Sequence, residues 1–217
     1  MSGLSSILLQ VIAFFAAITV HEAAHAWMAY RLGDPTAKVA GRLSLNPIAH
    51  IDLYGTILIP FFLILIGSPF VFGWAKPVVF DPYNLKNPRR DSALISLAGP
   101  ASNVLFAIIL SIILRLIYPS VFLGPFLIGL LYSTVALNVL LALFNLIPIH
   151  PLDGGKIFIG LLPEKEAIEA DQFLNRYGVI ILIFLIFPFA GRSPVFAILT
   201  PIFNFILNIL LPGSSVI

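Results

Sequence analysis

Cysteine is absent from the 217 residues. That excludes disulfide staples, thiolate metal ligands and a cysteine nucleophile together. Charge is also scarce: 10% of residues are Asp, Glu, Lys or Arg, where soluble domains carry about a quarter. With 59% hydrophobic residues and a mean hydropathy of +1.04, a soluble globule would need more core than a chain this size can cover. The formal net charge is only +2, and no Lys/Arg tract follows a phosphate backbone, so nucleic acid is not an expected partner. No internal repeat supports an inverted-repeat transporter, and the sequence leaves no room for a soluble appendage. The expectation is one integral membrane domain over 1–217.

What remains is apolar sequence in long runs. Candidate spans are 4–30, 92–117, 124–148, 172–190 and 194–211, judged against about 20 residues per spanning helix. The last two read as a short pair joined tightly at Gly191-Arg192-Ser193-Pro194. The first stretch lacks a basic leader and runs into a polar cluster at His21, so it reads as a retained helix, not a signal peptide. The run Thr56–Gly67 has 12 residues and carries Pro60. It is short for a span and suits a re-entrant or interfacial segment. Re-entry also places ten of the twelve basic residues on one face, leaving Arg115 and Arg192 on the other, as the positive-inside rule favours. The expected architecture is all-α and polytopic, with about five transmembrane helices, a re-entrant segment and a short surface strand near 39–43. Residues 161–171 read as an exposed charged connector, with a helical turn opening at Pro163.

Within the first run stands His21-Glu22-Ala23-Ala24-His25. On a helix, positions i and i+4 share a face, so both imidazoles can meet one metal ion with Glu22 beside it. Catalytic zinc uses three protein ligands and keeps a position open for water, and a neighbouring Glu can act as general base. HExxH alone is only moderately specific. Three ionisable groups within one turn of a bilayer helix are costly unless functional or paired. The plainer alternative is a buried polar cluster that stitches helices together. With the helix ending near Leu32, the motif lies roughly 13 Å below its basic end.

A third ligand is available at Asp153, in Asn145-Leu-Ile-Pro-Ile-His-Pro-Leu-Asp153-Gly154-Gly155. Pro148 and Pro151 break the preceding helix, and the glycines let the chain turn inward. Alone this reads as a capping Asp. Beside an HExxH at matching depth it reads as a ligand, and Zn2+ is the metal its oxygen and the two imidazoles favour, though cobalt or iron is not excluded by ligand type.

HEAAH, AGPASN at 98–103 and NLIPIHPLDGG at 145–155, with LSLNPIAHIDLYGT (43–56) and FGWAKPVVFDPYNLKNPRRD (72–91), resemble the site-2 protease family of intramembrane metalloproteases. The match is to its compact subgroup without PDZ or CBS domains, and covers nearly all of 18–156. The resemblance implies His21, His25 and Asp153 as zinc ligands and Glu22 as the base. It also places Asn145 facing the site, where its amide could donate to an oxyanion or simply join two helices. Asn103 reads more simply as packing, among small residues that let helices approach. The chain departs from the family at His150, where proline is usual. That histidine either lines the site or, more simply, meets water at the interface. His50 and Asp52 form a metal-side or substrate-guiding pair, or just fasten a loop. Trp74 and Tyr83 read as interface aromatics.

The function expected is hydrolysis of a peptide bond in or near the transmembrane helix of another protein, from a cytoplasm-facing site in the cell membrane. An unwound substrate would dock on 52–67 or on the strand near 39–43. Competing readings are a divalent-metal transporter and an idle scaffold relative. The sequence leaves the natural substrate and the oligomeric state open.

Overall fold

Three helices carry the length and apolarity that crossing a bilayer demands. In the computed structural model, which describes residues 3–66, 73–117, 124–188 and 193–211, these are α1 (Gly3–Arg31), α4 (Pro88–Ile117) and α5 (Pro125–Asn145). At 1.5 Å per residue they run about 44, 45 and 32 Å, against a hydrocarbon layer of about 30 Å. Between α1 and α4 lie a single turn, α2 (Thr36–Val39), a 3-10 turn at Pro47–His50, a π-helical turn at Leu53–Leu58 running into α3 (Ile59–Leu65), and a 3-10 turn at Pro82–Asn84. After α5 come α6 (Asp153–Leu161), α7 (Glu164–Ile186) and α8 (Pro194–Leu210). The chain is an all-helical membrane protein.

Of the five spans expected, three are long and apolar enough to cross among the described residues. α7 has the length, but it absorbs the charged connector: Glu164, Lys165, Glu166, Glu169, Asp171 and Arg176 all lie on it. The sequence reading had divided one continuous helix into a turn and a span, because charge was taken as the signature of a loop. The helical start after Pro163 is as expected. α8, at 17 residues, falls just below spanning length. Leu53–Leu65 is likewise too short to cross unaided. The joint expected at Gly191-Arg192 and the end of the short run at Gly67 lie outside the described residues.

The expected surface strand at 39–43 is absent; among the described residues there is no strand. Local hydrogen bonds override the alternating pattern there. Asp34 Oδ1 accepts from Thr36 N at 3.0 Å and Thr36 Oγ1 at 2.5 Å, which opens the turn of α2. Gly41, at φ 71°, then turns the chain in a conformation other residues resist.

α4 is the central element, packed against α1, α5, α6 and α8, and α1 also packs against α5. At one end of the bundle Ala107 and Leu114 of α4, Val135 and Val139 of α5, and Leu207 of α8 form an apolar core with Leu211. At the other, α1 and α4 enclose the polar groups. Outward faces remain apolar, with Leu105, Ile112, Ile180 and Phe205 each more than half exposed, as a lipid solvent requires.

Asp34 fastens the loops to this frame. Fully buried, it also accepts from Asp81 N and Asn84 Nδ2, each at 2.8 Å. Burial opposes its charge, but the bonds from Thr36, Asn84 and the backbone outweigh that and hold its carboxyl below the usual range. Because the folded pKa is depressed, its contribution is complete above the unfolded value of about 3.9 and fades as pH falls through the folded one. Asp34→Ala is expected to destabilise the detergent-solubilised protein by about 1–3 kcal/mol at neutral pH. Thermal unfolding at pH 7 and pH 3 checks both parts, since the difference from wild type should shrink in acid.

Candidate metal centre

α1 ends at Arg31, ten residues after His21 and six after His25, so the two imidazoles sit about 15 and 9 Å below that end. Their rings meet edge to face at 4.5 Å between centroids. The break after α5 brings α6 to the same level and directs its first residue at them. Asp153 Oδ2 lies 3.2 Å from His21 Nε2 and 3.2 Å from His25 Nε2, and the two nitrogens are 3.0 Å apart. His21 and His25 are buried and Asp153 is nearly so.

The outer ring atoms decide what this cluster can accept. His25 Nδ1 lies 2.7 Å from the carbonyl oxygen of Ile95, which can only accept, so Nδ1 carries a hydrogen. Pro100, lacking an N–H, leaves the α4 ladder incomplete at this level. His21 Nδ1 lies 2.6 Å from Asn103 Oδ1 and donates there likewise. Neutral imidazoles protonated at Nδ1 direct both Nε2 lone pairs at an Asp153 oxygen. Three acceptors this close repel one another unless a cation sits among them. Tetrahedral zinc with bonds near 2.0–2.1 Å sets its ligand atoms about 3.3 Å apart, so these residues fit it. His21, His25 and Asp153 could therefore hold a metal ion, as one nitrogen or oxygen donor from each lies within 4.8 Å of the others.

Two glycines make room. A Cβ on Gly99 would fall 2.3 Å from His25 Nε2 and 2.7 Å from His21 Cε1; one on Gly154 would fall 2.2 Å from the Ile147 oxygen. The first permits α4 to press against the imidazoles, the second lets α6 start so soon after α5.

Glu22 lies beside the cluster without touching it. Its Oε2 accepts from Val78 N at 3.1 Å. Val78 belongs to a stretch without regular secondary structure, 73–80. Trp74 N donates to Gly55 O at 3.1 Å, Lys76 N donates to His50 O at 3.0 Å, and Thr56 Oγ1 donates to Trp74 O at 2.7 Å. Lys156 Nζ stands 4.6 Å over the Phe80 ring. The backbone N–H groups of 74, 76 and 78 are thus committed to Gly55 O, His50 O and Glu22.

Other expected site residues lie apart. Asn145 donates its amide to Leu141 O on its own helix at 3.0 Å, and no hydrogen bond joins it to the three donors. His50 is buried with Nε2 2.8 Å from Ser44 O, and Asp52 accepts from Gly55 N at 2.7 Å, so this pair fastens loops. His150 faces Asp171 of α7 at 3.3 Å and is largely shielded from water. Trp74 packs on Gly55, where a Cβ would fall 2.3 Å from its Nε1, whereas Tyr83 is 96% exposed. Asn103 does more than pack, since its oxygen is the partner of His21. Asn138 was missed. Its signal is an amide in the middle of apolar α5, seven residues and about two turns before Asn145. Val78 contributes through its backbone and leaves no side-chain signal.

The model of Peptidase family M50 matches residues 9–124 and 119–185. The chain belongs to that family. Its relatives include YwhC of Bacillus subtilis, 38% identical over 89% of this chain and 92% of that protein. Rip2 of Mycolicibacterium smegmatis is 28% identical over 85% and 69%, and MJ0392 of Methanocaldococcus jannaschii 35% identical over 37% and 22%. Each carries zinc metalloprotease in its name. No solved structure matches. As a member of M50, the protein is a membrane metalloprotease whose metal is zinc.

Gly99→Ala should displace both imidazoles. The expected result is at least a tenfold loss of zinc affinity, read by chelator competition, with helical circular dichroism retained.

Proposed function

We propose that this M50 protease hydrolyses a peptide bond in or near the transmembrane helix of another protein, at a site reached from the cytoplasmic side. The observation that carries the reading is the convergence of His21 Nε2, His25 Nε2 and Asp153 Oδ2 beside Glu22, on helices long and apolar enough to cross a membrane. Zinc, held by His21, His25 and Asp153, supplies Lewis acidity that activates water and polarises the peptide carbonyl. Glu22 takes the proton of the attacking water and returns it to the amide nitrogen as the C–N bond breaks. The Val78 N–H holds one oxygen of Glu22, leaving the other for that proton. Asn145 has a second amide hydrogen beyond the one given to Leu141, and we assign it the oxyanion if its side chain turns inward on substrate binding.

The substrate must be extended to expose its carbonyl. We place such a segment along the stretch 73–80, which is tied to Glu22 through Val78 N, in place of the strand expected at 39–43. A cavity of about 350 Å³ lined by Val20, Ala23, Ala24, Trp27, Leu43 and Leu45 adjoins the HEAAH turn and suits apolar side chains. The bias of basic residues toward the loop side of α1 and α4 supports a cytoplasmic orientation. α7 and α8 would complete the five spans by tilting or by pairing within the membrane.

The test is purified wild type against Glu22→Gln, assayed for bound zinc and for cleavage of model single-span helices. Both should bind zinc, with cleavage reduced by about 10²–10⁴-fold in the variant. Equal cleavage would remove Glu22 as base. Zinc flux into proteoliposomes without cleavage by wild type would favour transport.

A further inference from the structure

A chain of amides leads away from His21 through the interior of the bundle. His21 Nδ1 lies 2.6 Å from Asn103 Oδ1. Asn103 Nδ2 donates to Ala17 O at 3.0 Å and to Asn138 Oδ1 at 2.7 Å. Asn138 Nδ2 donates to Thr134 O at 2.8 Å. Asn103 and Asn138 are fully buried, and Thr134 and His21 are 5% exposed or less. The chain crosses α1, α4 and α5.

Its direction is fixed at both ends. Thr134 O can only accept, so the Asn138 amino group faces it and the Asn138 oxygen faces Asn103. Ala17 O can only accept, so the Asn103 amino group faces away from His21. The Asn103 oxygen is thereby left for His21, which must carry its hydrogen on Nδ1 and keep the Nε2 lone pair for the cluster. Turning Asn103 over would set its oxygen against those of Ala17 and Asn138. It would also present N–H groups to His21 Nδ1, drive the hydrogen to Nε2 and point it at His25 and Asp153. The orientation that satisfies the interhelical bonds is thus also the one that ligation by His21 requires.

We propose that Asn138, acting through Asn103, fixes the tautomer and orientation of His21 and so sets the metal affinity of the centre. Asn138 is a positioning residue, and the inference rests on reading His21, His25 and Asp153 as the zinc ligands.

The test uses the full chain in detergent, with zinc affinity measured by chelator competition and His21 tautomer read by 15N NMR of the metal-free protein. Asn103→Leu should weaken zinc binding about tenfold to a hundredfold, the range seen when partners of metal-bound histidines are removed. Asn138→Leu should weaken it about tenfold and introduce the Nε2-protonated tautomer. Asn138→Asp should restore both readouts, because a buried carboxyl is held neutral and can then donate to Thr134 O while accepting from Asn103. If Asn138→Leu does not fold, Asn138→Ala removes the same acceptor and is read identically. Wild-type affinity and an unchanged tautomer in a folded Asn138 variant, with only the melting temperature lowered, would overturn the inference while leaving the zinc site intact. A wild type that binds no zinc would overturn both.

Discussion

The mutual repulsion of three lone pairs governs how this protein is put together. His21, His25 and Asp153 aim acceptor atoms at one point from α1 and α6, inside a bundle where little water relieves the conflict. Such an arrangement persists only when each group is held from behind and a cation is held in front. The fold supplies the backing. Ile95 O takes one imidazole hydrogen, Asn103 the other, and the turn between α5 and α6 places Asp153 at the first position of α6, opposite them. The glycines at 99 and 154 follow as conditions for bringing α4 and α6 this close.

The same constraint explains where the apolar core sits. α8 packs with α4 and α5 at the end of the bundle remote from the cluster, around Leu114, Val135 and Leu207. In lipid, burial of such side chains gives little drive for association, so close packing and interhelical hydrogen bonds must contribute more. The polar end supplies those bonds, and the histidines proposed to hold zinc are tied through them to α4 and α5.

What was legible in the sequence follows from the range of the interactions. HEAAH was readable because helical periodicity alone brings two imidazoles onto one face. Asp153 was readable because proline and glycine mark the turn that delivers it. The strand expected near 39–43 gives way to the turn of α2 and Gly41, because that turn depends on a side-chain bond from Asp34 to Thr36, which alternation of residue types does not encode. α7 was split because charge on a helix outside the bilayer looks the same in sequence as charge in a loop. Val78 could not be found at all, because its part is played by a backbone N–H placed from 56 residues away.

The distribution of satisfied polar groups also bears on transport against hydrolysis. A path for ions needs ligands that can exchange partners along its length. Beyond His21, Asn103, Asn138 and Thr134 are committed to one another in a directional chain, Ser111 donates to Leu210 O, and Thr19 is a further buried hydroxyl. Thr134 Oγ1 is itself turned back onto Leu130 O at 2.7 Å. Opening that chain to pass a cation would strip the backing from His21, releasing the metal at the site meant to hand it on. A hydrolytic centre has the opposite requirement: ligands that stay fixed through every turnover and a base held to one side. The amide chain and the Val78 contact to Glu22 meet that requirement, so the buried polar network favours a site that retains its metal.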